Sequence, residues 1–255
     1  MGTTRDAGGR ARRGPRPGGA GREEYSLPAE VTDELSAAAG RDRGARLADR
    51  LAAAARAYER DRYPEALRMT KSLLTQVPGA ATVQELHGLV CYRLGRYREA
   101  ARHLKEAAEL AGGDTSQLPV RMDCHRAMGH HRRVQELWEE LRASSPDADV
   151  LAEGRLVLAA GLADRGELQR AIDLLAQSGA GRALRHPAPR HVRQWYVLAD
   201  LAERVGDLPR ARELFARVAE ADPDLADAAL RLAALGRVRS RRSGRGGRPD
   251  RGSPS

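Results

Sequence analysis

The sequence predicts an all-α solenoid, with about five helix–turn–helix units stacked in a row and closed by a C-terminal capping helix. Three observations point there. The 255-residue chain holds nine aromatic residues, one Phe among them, so alanine and leucine must form the core. That composition suits closely packed helices and works against an aromatic-rich sandwich or barrel. A short pattern also recurs five times between the two ends of the chain. Each copy, finally, places small residues where two helices have to touch.

In chain order, residues 26–39 read as a short N-terminal helix, with Leu27, Val31 and Leu35 on one face and Pro28 in the first turn. This helix and a linker occupy residues 25–43. The repeats follow over residues 45–236. Their copies are Asp-Arg-Tyr-Pro-Glu-Ala ending at Ala66, Gly-Arg-Tyr-Arg-Glu-Ala ending at Ala100, Gly-His-His-Arg-Arg-Val ending at Val134, Gly-Glu-Leu-Gln-Arg-Ala ending at Ala171 and Gly-Asp-Leu-Pro-Arg-Ala ending at Ala211. The turn residues Asp61, Gly95, Gly129, Gly166 and Gly206 are spaced by 34, 34, 37 and 40. Pro78, Pro146 and Pro223 each come 17 residues after their turn residue.

The physics of one unit explains the pattern. The turn residue supplies the positive φ that ends the first helix. A small residue on that helix (Ala54, Gly88, Ala159 or Ala199) lets the second helix approach at Ala66, Ala100, Ala171 or Ala211. The proline then ends the second helix. One pair of helices leaves a face uncovered, so several must stack. Residues 225–235 read as the last, unpaired helix, with Arg231 and Asp227 expected on a polar outer face. The added length before the fifth unit falls in residues 177–191, which hold two Gly and two Pro. That stretch is the expected interior loop and the expected break between a four-unit block and a one-unit block.

The pattern resembles the tetratricopeptide repeat, a 34-residue helix–turn–helix unit. The fifth copy carries the signature most fully, at Trp195, Leu198, Ala199, Gly206, Ala211, Phe215 and Pro223. The second has Gly88, Gly95, Tyr97, Ala100 and Ala107. The third departs from the pattern, with Arg121 and Met122 where leucine and small residues are usual. The resemblance implies a right-handed superhelix that binds a peptide or a partner helix along the inner faces of its first helices, as a scaffold without chemistry of its own. In this register the groove presents Ala48, Leu51, Ala55 and Tyr58, then Thr82, Glu85, Leu89 and Tyr92, then Ser116, Asp123 and Arg126. Glu153 and Leu156 follow, and Arg193, Tyr196, Asp200 and Glu203 end it. The Lys–Asn–Asn–Lys–Arg arrangement with which chaperone-binding members clamp a C-terminal carboxylate has no match here. Tyr58, Leu89 and Tyr92 form an apolar patch that either receives a partner or is covered by the N-terminal helix.

Other chemistry is poorly supported. His87, Cys91, Cys124 and His125 are metal-ligand types, but Cys124 and His125 are helix neighbours that point about 100° apart. His87 and Cys91 also occupy core places of the repeat, so no metal or cofactor is expected. Trp138 and Trp195 read as core anchors. His130 and His131 sit in the third turn without a nucleophile or orienting carboxylate in any motif. There is no phosphate-binding loop, dinucleotide fingerprint, His-Glu-x-x-His or Gly-x-Ser-x-Gly, and no enzyme activity is expected. No segment holds the roughly 20 apolar residues that span a bilayer, so no membrane partner is expected. Two cysteines in a chain without a recognisable apolar leader fit a cytoplasmic location.

The formal charge of +9 belongs to the ends. Residues 1–22 carry six Arg against one Asp, residues 237–255 carry seven Arg against one Asp, and residues 23–236 are left at −2. Rich in Gly, Pro, Ser and Arg, the tails at 1–24 and 237–255 are expected to be disordered. An alternative function is therefore non-specific RNA or DNA association through Arg10, Arg12, Arg13, Arg16, Arg241, Arg242, Arg245 and Arg248. Salt titration on RNA and DNA of several sequences tests it. Tail binding predicts little base preference and a log–log slope of about −0.9 per phosphate on duplex or about −0.7 on single strands. Neutralising the tail arginines without loss of binding would discard it.

Overall fold

The computed structural model describes residues 27–243, with side chains as far as residue 236, and among these residues there are twelve helices and no strand. α1 (Ala29–Ala39) comes first. The five units are α2 (Arg41–Glu59) with α3 (Tyr63–Leu74), α4 (Ala81–Arg93) with α5 (Tyr97–Leu110), α6 (Leu118–Ala127) with α7 (His131–Ala143), α8 (Ala148–Asp164) with α9 (Leu168–Gln177), and α10 (Pro189–Arg204) with α11 (Leu208–Ala221). α12 (Ala228–Ser243) closes the row. Each helix packs on the next, and the first helices α6, α8 and α10 also touch one another in order.

All five turn residues adopt positive φ, from 57° at Asp61 to 85° at Gly206. Asp61, the one with a side chain, uses its carboxylate to accept from the Tyr63 hydroxyl and to pair with Arg93 at 3.4 Å. Ala54, Ala66, Ala100, Ala159, Ala171, Ala199 and Ala211 are wholly buried at the helix contacts. At Gly88 the approach is closer still: a Cβ there would lie 2.7 Å from Leu104 Cγ. Trp138 and Trp195 are buried, as their places in the repeat require.

The N-terminus departs from the expected helix and linker. A single residue, Gly40 (φ 81°), joins α1 to α2, and α2 begins at Arg41. Gly44 allows this hairpin, because a Cβ there would come 2.5 Å from the Ser36 Cα. Leu35 is buried in one cluster with Leu47, Ala48, Leu51 and Val83, and Glu34 accepts from the Ala81 N–H and the Thr82 hydroxyl at the start of α4.

Two further expectations fail. The loop after α9 does not divide the solenoid, since one buried cluster runs from Leu156 to Leu235 and includes Ala180. Trp195 Nε1 donates to the Arg182 carbonyl at 3.2 Å and Arg217 to the Gly181 carbonyl at 2.9 Å, which ties the loop down from both helices of the fifth unit. Nor does the cap turn Arg231 outward, although Asp227 is exposed as expected. Arg231 donates to Asp200 at 2.9 Å and Glu203 at 2.7 Å, and Asp227 accepts from the Tyr196 hydroxyl at 2.6 Å. The carboxylates of the last first helix have no sixth unit to meet, and α12 supplies the missing partners. α12 also continues to Ser243, past residue 236. The expected tails otherwise lie outside the described residues, with Arg10, Arg12, Arg13, Arg16, Arg245 and Arg248, while Arg241 and Arg242 fall within α12.

Replacing either Ala100 or Ala211 by Leu overfills a closed helix contact and is expected to cost about 1–3 kcal/mol, measured by denaturant titration of each variant.

Candidate partner-binding groove

The first helices place most of the expected groove residues side by side, and the structure ties many of them to one another. Between α4 and α6, the Tyr92 hydroxyl donates to Asp123 at 2.6 Å and Gln117 to Glu85 at 2.8 Å. Arg126 donates to Asp123 at 2.7 Å on its own helix and to Asp164 of α8 at 2.6 Å. Between α8 and α10, Arg193 donates to Glu153 at 2.6 Å and Arg190 to Asp149 at 3.2 Å. Asp200 and Tyr196 meet α12 as described. The groove surface is thus a ladder of hydrogen bonds and charge pairs running from one first helix to the next.

The ladder shifts the ionisation of its members. Burial raises the Glu85 carboxyl above its usual range, and the Gln117 hydrogen bond opposes this only in part. Burial and then the hydrogen bond to Asp123 raise the Tyr92 phenol. For Arg126, burial alone would lower the guanidinium, but the hydrogen bonds to Asp123 and Asp164 outweigh it. Partial burial strengthens such pairs relative to exposed ones.

A cavity of about 340 Å³ opens between α4, α6 and α8. Its apolar lining is Val120, Val150 and Val157, while Asp123, Asp149, Glu153 and the Tyr92 ring complete it. Four of these residues, Val120, Asp149, Val150 and Val157, were not among the expected groove positions. The signal lay in the 37-residue spacing: α8 takes up the insertion as extra helix at its start, which brings Asp149 and Val150 onto the wall.

The first end of the groove is partly closed. Ala48 and Leu51 are buried in the cluster that holds Leu35 of α1. Tyr58, Leu89 and Tyr92 keep partial exposure, so α1 does not enclose the patch. Tyr58 packs edge-to-face on Tyr63 at 5.6 Å and Tyr92 on Tyr97 at 6.1 Å, each against the start of its own second helix.

The metal-ligand types go to separate partners. His87 Nδ1 lies 2.8 Å from the Thr70 hydroxyl, His125 pairs with His130, and Cys91 and Cys124 are buried free thiols in a shared cluster. Burial pushes the thiols up to about 11 and about 12, where little reactive thiolate forms at neutral pH. His130 and His131 line a shallow depression with Arg132, Arg133 and Glu136, and His131 Nδ1 is buried without a hydrogen-bond partner. Among the described residues no helix is long and apolar enough to cross a membrane.

Comparison with known proteins places the architecture. No protein-family model matches the chain. The crystal structure of a thermophilic tetratricopeptide-repeat protein from Thermus thermophilus superposes with a TM-score of 0.59 at 19% identity, over 73% of this chain and 97% of that one. The fold is a tetratricopeptide solenoid. A stretch of 87 residues, 34% of the chain, is 32% identical to the phagocyte signaling-impaired protein of Drosophila pseudoobscura pseudoobscura, and it spans 9% of that protein's length.

Burial, followed by the neighbouring His103, lowers the His87 imidazole from its ordinary 6.5 to about 4. The unfolded chain therefore takes up this proton first as pH falls. The stability contributed by the neutral His87 ring is fully present above about 6.5 and is lost as the pH drops towards about 4. His103 and His125, also lowered first by burial, act in the same direction. Denaturation midpoints measured across that window are expected to fall less in His87→Gln than in the parent, and parallel profiles would remove His87 from the account.

Proposed function

We propose that this protein is an interaction scaffold whose concave face holds an extended segment of a protein partner, without converting it. One observation carries the reading: the cavity between α4, α6 and α8 joins a valine-lined hollow to three carboxylates, Asp123, Asp149 and Glu153. An apolar side chain fits the hollow, and a lysine or arginine beside it competes with Arg190 and Arg193 for the exposed carboxylates of Asp149 and Glu153. Tyr92 stands at the edge with its ring accessible and its hydroxyl held by Asp123, a rigid aromatic contact of the sort that concentrates binding energy. The fold supports the reading, since stacked helix pairs present long concave surfaces. Buried free thiols are compatible with a reducing, cytoplasmic setting.

Selection of peptides from a random library on the immobilised full chain tests this proposal. Enriched sequences are expected to pair an apolar residue with a neighbouring Lys or Arg. Tyr92→Ala is expected to weaken the selected peptide by about 1–3 kcal/mol with unchanged helicity, and Val157→Arg to abolish binding by filling the hollow. Selected peptides that bind both variants as well as the parent would move the site elsewhere.

A further inference from the structure

The second helices carry a different surface. A cleft of about 560 Å³ lies between α3 and α5, with His87 of α4 among its lining residues. Four cations line it: Arg68, Lys71, Arg96 and Arg102. The single carboxylate in the lining, Glu99, is already engaged by Arg96 at 3.6 Å and by the Cys91 thiol at 3.7 Å. Arg68 and Lys71 stand three residues apart on one helix face, and neither is paired with a carboxylate among the described residues. Like charges held together in this way are relieved by an anion.

The His87 ring adds a requirement that charge alone does not make. Its side chain is more than nine-tenths buried, and Nδ1 is committed to Thr70. The Thr70 hydroxyl has one proton and three acceptors in reach, the Ala66 carbonyl at 2.9 Å, the Leu67 carbonyl at 3.2 Å and His87 Nδ1. With that proton on a carbonyl, Nδ1 is the donor to Thr70, and Nε2, which has no partner among the described residues, is left as an acceptor. His103 beside it is fixed in the same tautomer, with Nδ1 2.6 Å from Gln84 Oε1 and Nε2 receiving Arg102 at 2.7 Å. Burial keeps the His87 ring neutral at physiological pH. The cleft thus offers several cationic donors and one neutral acceptor.

We propose that this cleft is a binding site for a phosphate group that still carries a proton, either the free ion or a small phosphate monoester. The anionic oxygens meet Arg68, Lys71 and Arg96, and the P–OH donates to His87 Nε2. Sulfate has the same shape and no proton at neutral pH, so it leaves the acceptor unpaired. Leu67 and Leu74, also in the lining, provide apolar contact for the organic part of an ester. The site is independent of the groove and stands or falls separately from it.

The test is calorimetric titration of the full chain at about pH 5.5 and constant ionic strength with inorganic phosphate, sulfate and phenyl phosphate; at this pH a monoester with a second pKa of about 6 keeps its proton, sulfate has none and the His87 ring is still mostly neutral. Phosphate is expected to bind about tenfold or more tightly than sulfate, the penalty typical of an unpaired polar group. Arg68→Glu/Lys71→Glu is expected to abolish binding. Arg185→Glu/Arg212→Glu, which makes the same charge change on remote exposed arginines, is expected to leave it intact. His87→Gln keeps a polar side chain and is expected to reduce the preference over sulfate. Tighter binding of phenyl phosphate than of phosphate assigns the site to a monoester, and equal or weaker binding assigns it to the free ion. Equal affinity for phosphate and sulfate, equal loss in the two charge-reversal variants, or no heat at millimolar anion would each overturn the proposal.

Discussion

Everything in this molecule rests on how closely two helices of one unit approach. The contact is built from alanine and glycine because no larger side chain fits. Ala54 against Ala66, Gly88 with Ala100, Ala159 against Ala171, and Ala199 against Ala211 are fully enclosed in their units. The backbones come near enough for leucines and the two tryptophans to fill the spaces between units. The positive-φ turn matters for the same reason, since it sets the second helix down on the first without a connecting loop. With so few aromatics available, this is how a chain rich in alanine reaches interior packing density.

The contact also decides where polar chemistry can go. Small residues consume the inward face of each first helix, so its charged residues are left on the groove side. There they find partners on the next first helix and form the ladder from Tyr92 to Arg231. On the second helices the same logic leaves arginines and Lys71 facing outward around the buried His87 and His103. Each face is coherent because a solenoid repeats its neighbours' geometry along one direction.

Much of this was legible in the sequence, and the exceptions have physical causes. Asp61 and the four turn glycines could be found because positive φ restricts residue choice. Tyr92, Asp123 and Arg126 could be placed together because register carries from unit to unit. Asp149 and Val150 could not, because the 37-residue spacing shows that three residues are added but not that α8 takes them up as helix at its start. The α1–α2 hairpin was hidden for a related reason: Gly40 alone makes the turn, and Gly44, to which the repeat spacing gives no role, is what lets the helices close. Charge was the most misleading quantity. A total of −2 over residues 23–236 is correct as a sum and silent about distribution. It concealed the cluster of cations between α3 and α5.

The third unit breaks the rule that governs the others. Met122 and Val134 stand at its helix contact, α6 and α7 share a smaller contact than α4 and α5, and the buried Arg121 leaves its Nε without a partner among the described residues. Its hydrophobic cluster is separate from the one that runs from α8 to α12. In a linear array, cooperativity is passed only between neighbours, and it fails first at the poorest junction. The α6–α7 pair, with larger residues at its contact and a buried guanidinium nitrogen left unpaired, is thus held less firmly than α4–α5.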